Sequence, residues 1–359
     1  MKGMTLQKGS FNPTNCNVFI AGTGAYMKAG AGVQMLEAYD ETAKINHTLI
    51  GGNGRTVALG GYLTGGGHSI LSPAYGLAAD HVLEMEVVTP AGEIVTANEC
   101  QNTDLFWAIR GGGGGTFGVL TKVTVSILPS PKLIGMEFLI LTPAENKGAF
   151  DAITYLVSNF PTLADKGVSG YPVIMNSVPR LVPTADGKNF TFAPISGIMG
   201  NLIMLHTSNT SQIEDVLSPI FTHMKNTWFN ITIATNTTAY PNFNSWYHEH
   251  FDPSPVGTEI LVVSRLLDAK ALSGDPNATR RALEKFTSGG YGTMFLVSGK
   301  GVHEAKPRGG SNAVLPAWRR AYVHSSEYIF LEGETPVRKW DWAYGNSYWC
   351  RMDTTERPV

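Results

Sequence analysis

Two glycine clusters carry most of the chemical information in this sequence. The first is Gly60-Gly61-Tyr62-Leu63-Thr64-Gly65-Gly66-Gly67-His68. The second is Gly111–Gly115 with Gly118, and it follows Asp104-Leu105-Phe106-Trp107-Ala108-Ile109-Arg110. Glycine reaches φ > 0 and lets backbone press close to a ligand. Successive backbone N–H groups can then converge on an anionic or carbonyl-rich group. A single cluster is more often a tight turn, but a second one close by makes coincidence a poorer account. No Gly-Lys-Ser/Thr follows, so this is not a P-loop, and the spacing is not a Rossmann fingerprint.

Other reactive side chains point less clearly. His248-Glu249-His250 offers two imidazoles without a third ligand and reads as a surface loop, so no metal is expected. There is no Gly-x-Ser-x-Gly elbow. Cys16, Cys100 and Cys350 have neither metal spacing nor a readable disulfide framework, and a bridge between two of them stays open. Tyr62, Tyr171, His206 and Tyr322 are candidate polar groups near a substrate, although each has a structural reading. No catalytic base is assigned.

The elements that must position these residues follow from periodicity. Val33, Leu36 and Tyr39 mark one face of a helix. Val82–Val88 and Ile94–Ala97 read as strands joined by Thr89-Pro90-Ala91-Gly92. Val119–Leu128 alternates as a strand and ends at Pro129-Ser130-Pro131, a domain boundary. Asn17–Ala21 and Leu133–Leu141 also read as strands, and Ala144–Asn159 as a helix. Val173–Val178, Thr191–Ile198 and Leu202–His206 read as strands of one antiparallel sheet. Ile213–Trp228 reads as a helix, then Ile260–Arg265, Arg280–Lys285 and Thr293–Gly299 as strand, helix and strand. This order predicts an α+β fold.

Composition narrows the classes. The chain has 359 residues, 43% hydrophobic, enough for two cored domains. A net charge of -2 argues against a nucleic-acid partner. No apolar run is long enough for a membrane span. Met1–Ser10 lacks the apolar run of a signal peptide. Yet Asn46, Asn189, Asn209, Asn230, Asn236 and Asn277 head glycosylation sequons, a hint of secretory history. The compartment is left open.

Together Gly60–Gly67, Tyr75-Gly76-Leu77-Ala78-Ala79-Asp80 and Asp104–Val119 resemble the flavin domain of berberine-bridge-enzyme-like oxidases, in the vanillyl-alcohol-oxidase superfamily with its PCMH-type FAD-binding domain. The wording is closest to fungal isoamyl alcohol oxidase-like and secondary-metabolite enzymes. The resemblance extends more weakly through Ser245-Trp246, Ser264–Leu267 and Asn312–Arg319. It implies a partial FAD-binding domain over 1–128 and a substrate domain over 129–310, an antiparallel sheet flanked by helices. It implies a segment over 311–359 that returns to the FAD domain.

The implied cofactor is FAD. Its site would take Val57, Gly60, Gly61, Tyr62, Thr64, Gly65, Gly66, Gly67, His68, Gly113, Gly114, Gly118 and Val119. The first cluster would lie as a loop along the ribityl and isoalloxazine region, with Thr64 and His68 as polar contacts. The implied activity is hydride removal from a small alcohol or secondary-metabolite intermediate, with O₂ as acceptor. Oxidative cyclisation of an alkaloid of the ergot chanoclavine type and carbohydrate oxidation are the implied alternatives.

Departures from the family pattern matter too. Gly54 occupies the position of the cysteine that links flavin in bicovalent members, which excludes a cysteinyl bond. Val57 is a small aliphatic residue where the family associates such residues with oxygen access. The family's Gly-His-Asp-type segment is absent, and Tyr344-Gly345-Asn346-Ser347-Tyr348 is an imperfect copy of the C-terminal motif. The expectation is a truncated member, with a non-binding remnant as the competing account.

Overall fold

The computed structural model describes residues 2–17, 24–183, 190–254 and 260–330. The fold is α+β, and its described strands pair antiparallel throughout. β1 (Met4–Lys8), β2 (Ala25–Gly30), β3 (His47–Thr48), β4 (Val82–Val88), β5 (Ile94–Asn98), β6 (Val119–Ser126) and β7 (Leu128–Pro129) build the first part. Five of them form one sheet in the order β1-β2-β6-β4-β5, while β3 pairs with β7. The β4–β5 hairpin forms where the turn residues place it, closed by Gly92 N–H donating to Thr89 O at 2.9 Å. Met85, Val87, Val123 and Val125 alternate into the core, as period-two patterning requires.

The second sheet uses β8 (Leu133–Pro143), β9 (Val168–Gly170), β10 (Val173–Pro183), β11 (Phe190–Leu205), β12 (Thr232–Tyr240), β13 (Ile260–Asp268), β14 (Tyr291–Leu296) and β15 (Ala321–Phe330). Its order is β12-β8-β11-β10-β14-β15-β13, with β9 pairing β11 and β14. Helices Ala149–Ser158, Phe160–Asp165, Ser211–Thr227 and Pro276–Phe286 cover it. Their apolar faces close a core that includes Ile153, Leu156, Leu217 and Leu283.

Several local expectations change. The predicted strands Thr191–Ile198 and Leu202–His206 are one strand, β11, paired with β8 from Ile195 to Leu205. Gly200 (φ +157°) allows this continuity, because a Cβ there would lie 2.5 Å from Tyr171 O. The helix predicted from Ala144 begins at Ala149, because Asn146 Oδ1 accepts from Gly148 N–H and closes a turn before it. His248 and His250 lie on the helix Phe243–His250, not on a loop. That helix, capped by Asn242, drives Trp246 and Tyr247 into the core beneath the five-stranded sheet. The C-terminal segment divides: residues 311–320 pack beside the second glycine cluster, but Ala321–Phe330 becomes β15 between β13 and β14. The predicted strand Asn17–Ala21, apart from Asn17, and Tyr344–Tyr348 lie outside the described residues.

Cys16 and Cys100 form a disulfide, Cα–Cα 5.4 Å, that ties the N-terminal segment to the end of the β4–β5 hairpin. Neither their spacing nor their types signalled it.

Candidate cofactor-binding site

The first cluster is partly helical, which corrects its reading as a loop. Leu59–Thr64 forms a short helix, with Leu59 and Leu63 buried as anchors. Leu59 N–H donates to Val33 O and Gly60 N–H to Ala31 O, both at 2.9 Å. A Cβ on Gly60 would meet Ala31 O at 3.2 Å, so this glycine permits the contact. Gly65, Gly66 and Gly67 then reverse the chain, with Gly66 at φ +102° and Gly67 at φ +68°. Ala78 and Ala79 N–H groups donate to Gly67 O (2.8 Å) and Gly66 O (3.0 Å). The Tyr75–Asp80 motif thus clamps the loop from behind.

The second cluster follows the helix Thr103–Ala108. Gly111 (φ +94°) passes so close to Val314 that a Cβ would lie 2.4 Å from its Cγ2. Gly118 (φ +148°) abuts Val88 O in the same way, at 2.6 Å. The two clusters meet directly: Gly113 N–H donates to Thr64 O at 3.0 Å.

Two glycines in this surface have no steric reason to be glycine. A Cβ on Gly61 would meet nothing within 4 Å, and Gly61 is exposed. A Cβ on Gly114 would meet only Thr64 Oγ1, at 3.6 Å. Neither has φ in the left-handed region. Bare backbone on one connected surface, not demanded from within, suits a ligand lying flat against it.

The polar candidates behave differently from one another. Thr64 is buried and its hydroxyl donates to Gly60 O at 2.9 Å, so that proton is used internally. Tyr62 O–H donates to His68 O at 2.7 Å, and burial pushes its phenol well up. Val57 and Val119 are 36% and 63% exposed, beside the first cluster and at the start of β6. Tyr171 O–H accepts from Ile70 N–H at 2.9 Å and so reaches the glycine side of the molecule. His206 Nε2 pairs with Tyr75 O–H at 2.8 Å. Tyr322 O–H donates to Asp165 at 3.2 Å, on the helical side of the second sheet. His248 pairs with Asp40, and His250 stacks on Trp246. Among the described residues no cluster of three potential ligands exists.

His68 has company that sequence reasoning missed. Its ring lies 5.0 Å from that of His324 on β15, 5.9 Å from Trp318 and 6.1 Å from Phe295. Burial, and then the neighbouring His324, push the His68 imidazole down to about 3. Burial also lowers His324. The only sequence signal for His324 was its place in the alternation Tyr322-Val323-His324.

A part-buried ionic frame holds the clusters. Asp80 accepts from both guanidinium nitrogens of Arg319 and from Asn312 Nδ2. Arg110 stacks on Phe106 at 3.8 Å and donates to Phe106 O and Ser311 O. Burial lowers its pKa to about 10, against the pull of Asp80 and Glu99. Two open clefts of about 520 and 470 Å³ lie against the helices of the second sheet, and neither is lined by a residue of the glycine clusters.

Several known proteins resemble this chain. Residues 14–98 match the family described as an FAD binding domain. An uncharacterized FAD-linked oxidoreductase of Arthroderma benhamiae is 34% identical over 314 residues, covering 84% of this chain and 51% of the relative. The FAD-linked oxidoreductase apf9 of Gibberella fujikuroi is 31% identical over 84% of this chain and 51% of its own. The crystal structure of the VAO-type flavoprotein MtVAO713 from Myceliophthora thermophila C1 superposes with a TM-score of 0.80 at 28% identity, covering 95% of this chain and 59% of that one. This chain therefore spans about half the length of the curated relatives it matches.

Proposed function

Because this chain belongs to the berberine-bridge-enzyme-like FAD-linked oxidoreductases of the vanillyl-alcohol-oxidase type, we propose that it holds FAD across its two glycine clusters and oxidises a small alcohol with O₂ as acceptor. The observation that carries this reading is the bare backbone at Gly61 and Gly114, joined through the Thr64–Gly113 hydrogen bond. Both glycines would keep side chains away from a flat ring system. When bound, FAD supplies the two-electron acceptor for a hydride leaving the carbinol carbon, and O₂ takes those electrons on to H₂O₂.

The chain's own residues define the surroundings. The Thr64 carbonyl, fixed by Gly113, sets the distance between the clusters. Tyr62 fixes the backbone at His68, so the imidazole stays oriented toward β15. Gly54 would leave no thiol to bond a flavin, and the small side chain of Val57, next to Gly54, is 36% exposed. This supports oxygen access and a flavin without a cysteinyl link.

The test is direct. Purified protein mixed with FAD should retain a yellow chromophore after gel filtration. Turnover of an alcohol under air should release one H₂O₂ per aldehyde or ketone formed. A colourless protein would remove the reading altogether. Turnover with an artificial acceptor but no peroxide would replace oxidase with dehydrogenase.

A further inference from the structure

β13 is the last strand of the second sheet, and among the described residues it pairs only with β15. Its outer edge therefore presents backbone N–H and C=O groups that no described residue bonds. Folded proteins usually blunt such an edge with lysine, proline or a bulge. The run Leu261-Val262-Val263-Ser264-Arg265-Leu266-Leu267 contains no lysine or proline, and the strand's register shift falls past it, between Leu267 and Asp268. The opposite edge of the sheet is different: β12 is rich in threonine and presents no exposed large apolar side chain. Successive strand residues point to opposite faces, so a strand lying on a core alternates in burial. Leu261, Val262 and Val263 do not alternate; they are 54%, 54% and 48% exposed, so both faces are bare there. The other end of β13 is covered. Leu266 and Leu267 are half-buried, Leu267 packs on the core of the second sheet, and the helix Ala269–Ser273 follows directly.

We propose that β13 is a self-association surface that pairs antiparallel with β13 of a second copy, about a two-fold axis at Ser264. A strand bare at one end and covered at the other is complementary to its own reversed copy, which lays the covered end beside the bare one. Such an interface is isologous and needs no other molecule. In this register Leu261 faces Leu267 of the second copy, and Val262 faces its Leu266. Opposed residues share a face and their side chains touch, so apolar meets apolar on both faces. Arg265 faces Val263 of the second copy, whose neighbour on β15 is Glu327. That glutamate stands two strand spacings, about 9.6 Å, from Arg265, a span the two extended side chains close. Neither Arg265 nor Glu327 has an ion-pair partner among the described residues. The two-fold forms the Arg265–Glu327 pair twice, and the two sheets run on as one.

The test is sedimentation of the full chain, without added cofactor, over about 1–100 μM, where a modest interface dissociates. We expect a reversible monomer–dimer equilibrium. Val263→Lys sets a cation opposite Arg265 at two symmetric places and should weaken the dimer about tenfold or more. Arg265→Glu should weaken it about tenfold, the scale of two exposed ion pairs turned to repulsion, and Glu327→Arg should do the same. The double variant Arg265→Glu, Glu327→Arg restores both pairs and should return the dimer to about wild-type strength. Because these side chains lie at an edge, thermal melts of the dilute variants should match wild type. Amide hydrogen exchange locates the contact: exchange over 261–267 should be fast in dilute protein and slow in concentrated protein. A chain that stays monomeric throughout overturns the proposal. So does a dimer that Val263→Lys leaves intact, or charge reversals that the double variant fails to rescue. Slow exchange over 261–267 in the monomer would mean that another part of the same chain covers the edge, and it too overturns the proposal.

Discussion

Asp80 and Arg319 form a two-pronged ion pair, with guanidinium nitrogens 2.8 and 2.7 Å from the two carboxylate oxygens. The pair joins the motif behind the first glycine cluster to the segment that packs on the second. Asp80 Oδ2 also accepts from Leu77 N–H at 2.9 Å, and Asn312 adds its amide. This network adds to the hydrogen bonds that the glycine backbones make themselves.

Breaking that pair should be costly. Burial alone would raise the Asp80 carboxyl, but the Arg319 hydrogen bonds and charge, with Asn312 and Leu77, hold it below 3.8. Asp80→Asn should lose about 3 kcal/mol, since it leaves the guanidinium without its counter-charge. The stability that Asp80 contributes is present above its unfolded value of 3.8 and is lost as pH falls through the lower folded value. Urea denaturation of both proteins at pH 7 measures the loss.

Two glycine substitutions should separate folding from binding. Gly67→Ala would place a Cβ 2.7 Å from Tyr62 and 2.8 Å from Ala78 at φ +68°, and should destabilise the protein by about 1–3 kcal/mol. Gly61→Ala meets nothing and sits in a helix, so stability should hold or rise by about 0.5–1 kcal/mol. FAD affinity should nevertheless fall in Gly61→Ala. Thermal melts without FAD, paired with FAD titrations, read the two effects separately. An unchanged FAD affinity would contradict the cradle.

His68 should leave a mark on pH dependence. Its folded value of about 3 lies below its unfolded value of 6.5. Above 6.5 its contribution to stability is complete. Between 6.5 and about 3 the unfolded chain takes up a proton that the folded protein refuses, so stability falls with falling pH. The slope is at most about 1.4 kcal/mol per pH unit. His81 and His324 are lowered as well and add to it. His68→Phe should be less sensitive than wild type between pH 7.5 and 5 by about 2 kcal/mol. Urea midpoints at the two pH values give the difference.

Reduction of the Cys16–Cys100 bridge should lower the melting temperature. The bridged residues are 84 positions apart, and closing a loop of that length costs the unfolded state about 4.5 kcal/mol in chain entropy. A Cys16→Ser, Cys100→Ser double variant should melt like reduced wild type and be insensitive to dithiothreitol.

Local chemistry determined what the sequence could say by itself. Turn residues at Thr89–Gly92 made the β4–β5 hairpin legible, and alternation did the same for β6. Glycine density announced a backbone surface built for close approach, and the Tyr75–Asp80 and Asp104–Val119 motifs announced a flavin-type fold. Each of these signals lies within a few residues of its consequence. Tertiary structure decided the rest, because its causes are distant in the chain. Only β15, inserted between β13 and β14, brings His324 to His68. Only the folded loop at 311–319 shows why Asp80 is an aspartate. The disulfide needed three-dimensional proximity that no spacing encodes. Periodicity reports which face of an element is apolar; it carries no information about which distant face arrives to cover it.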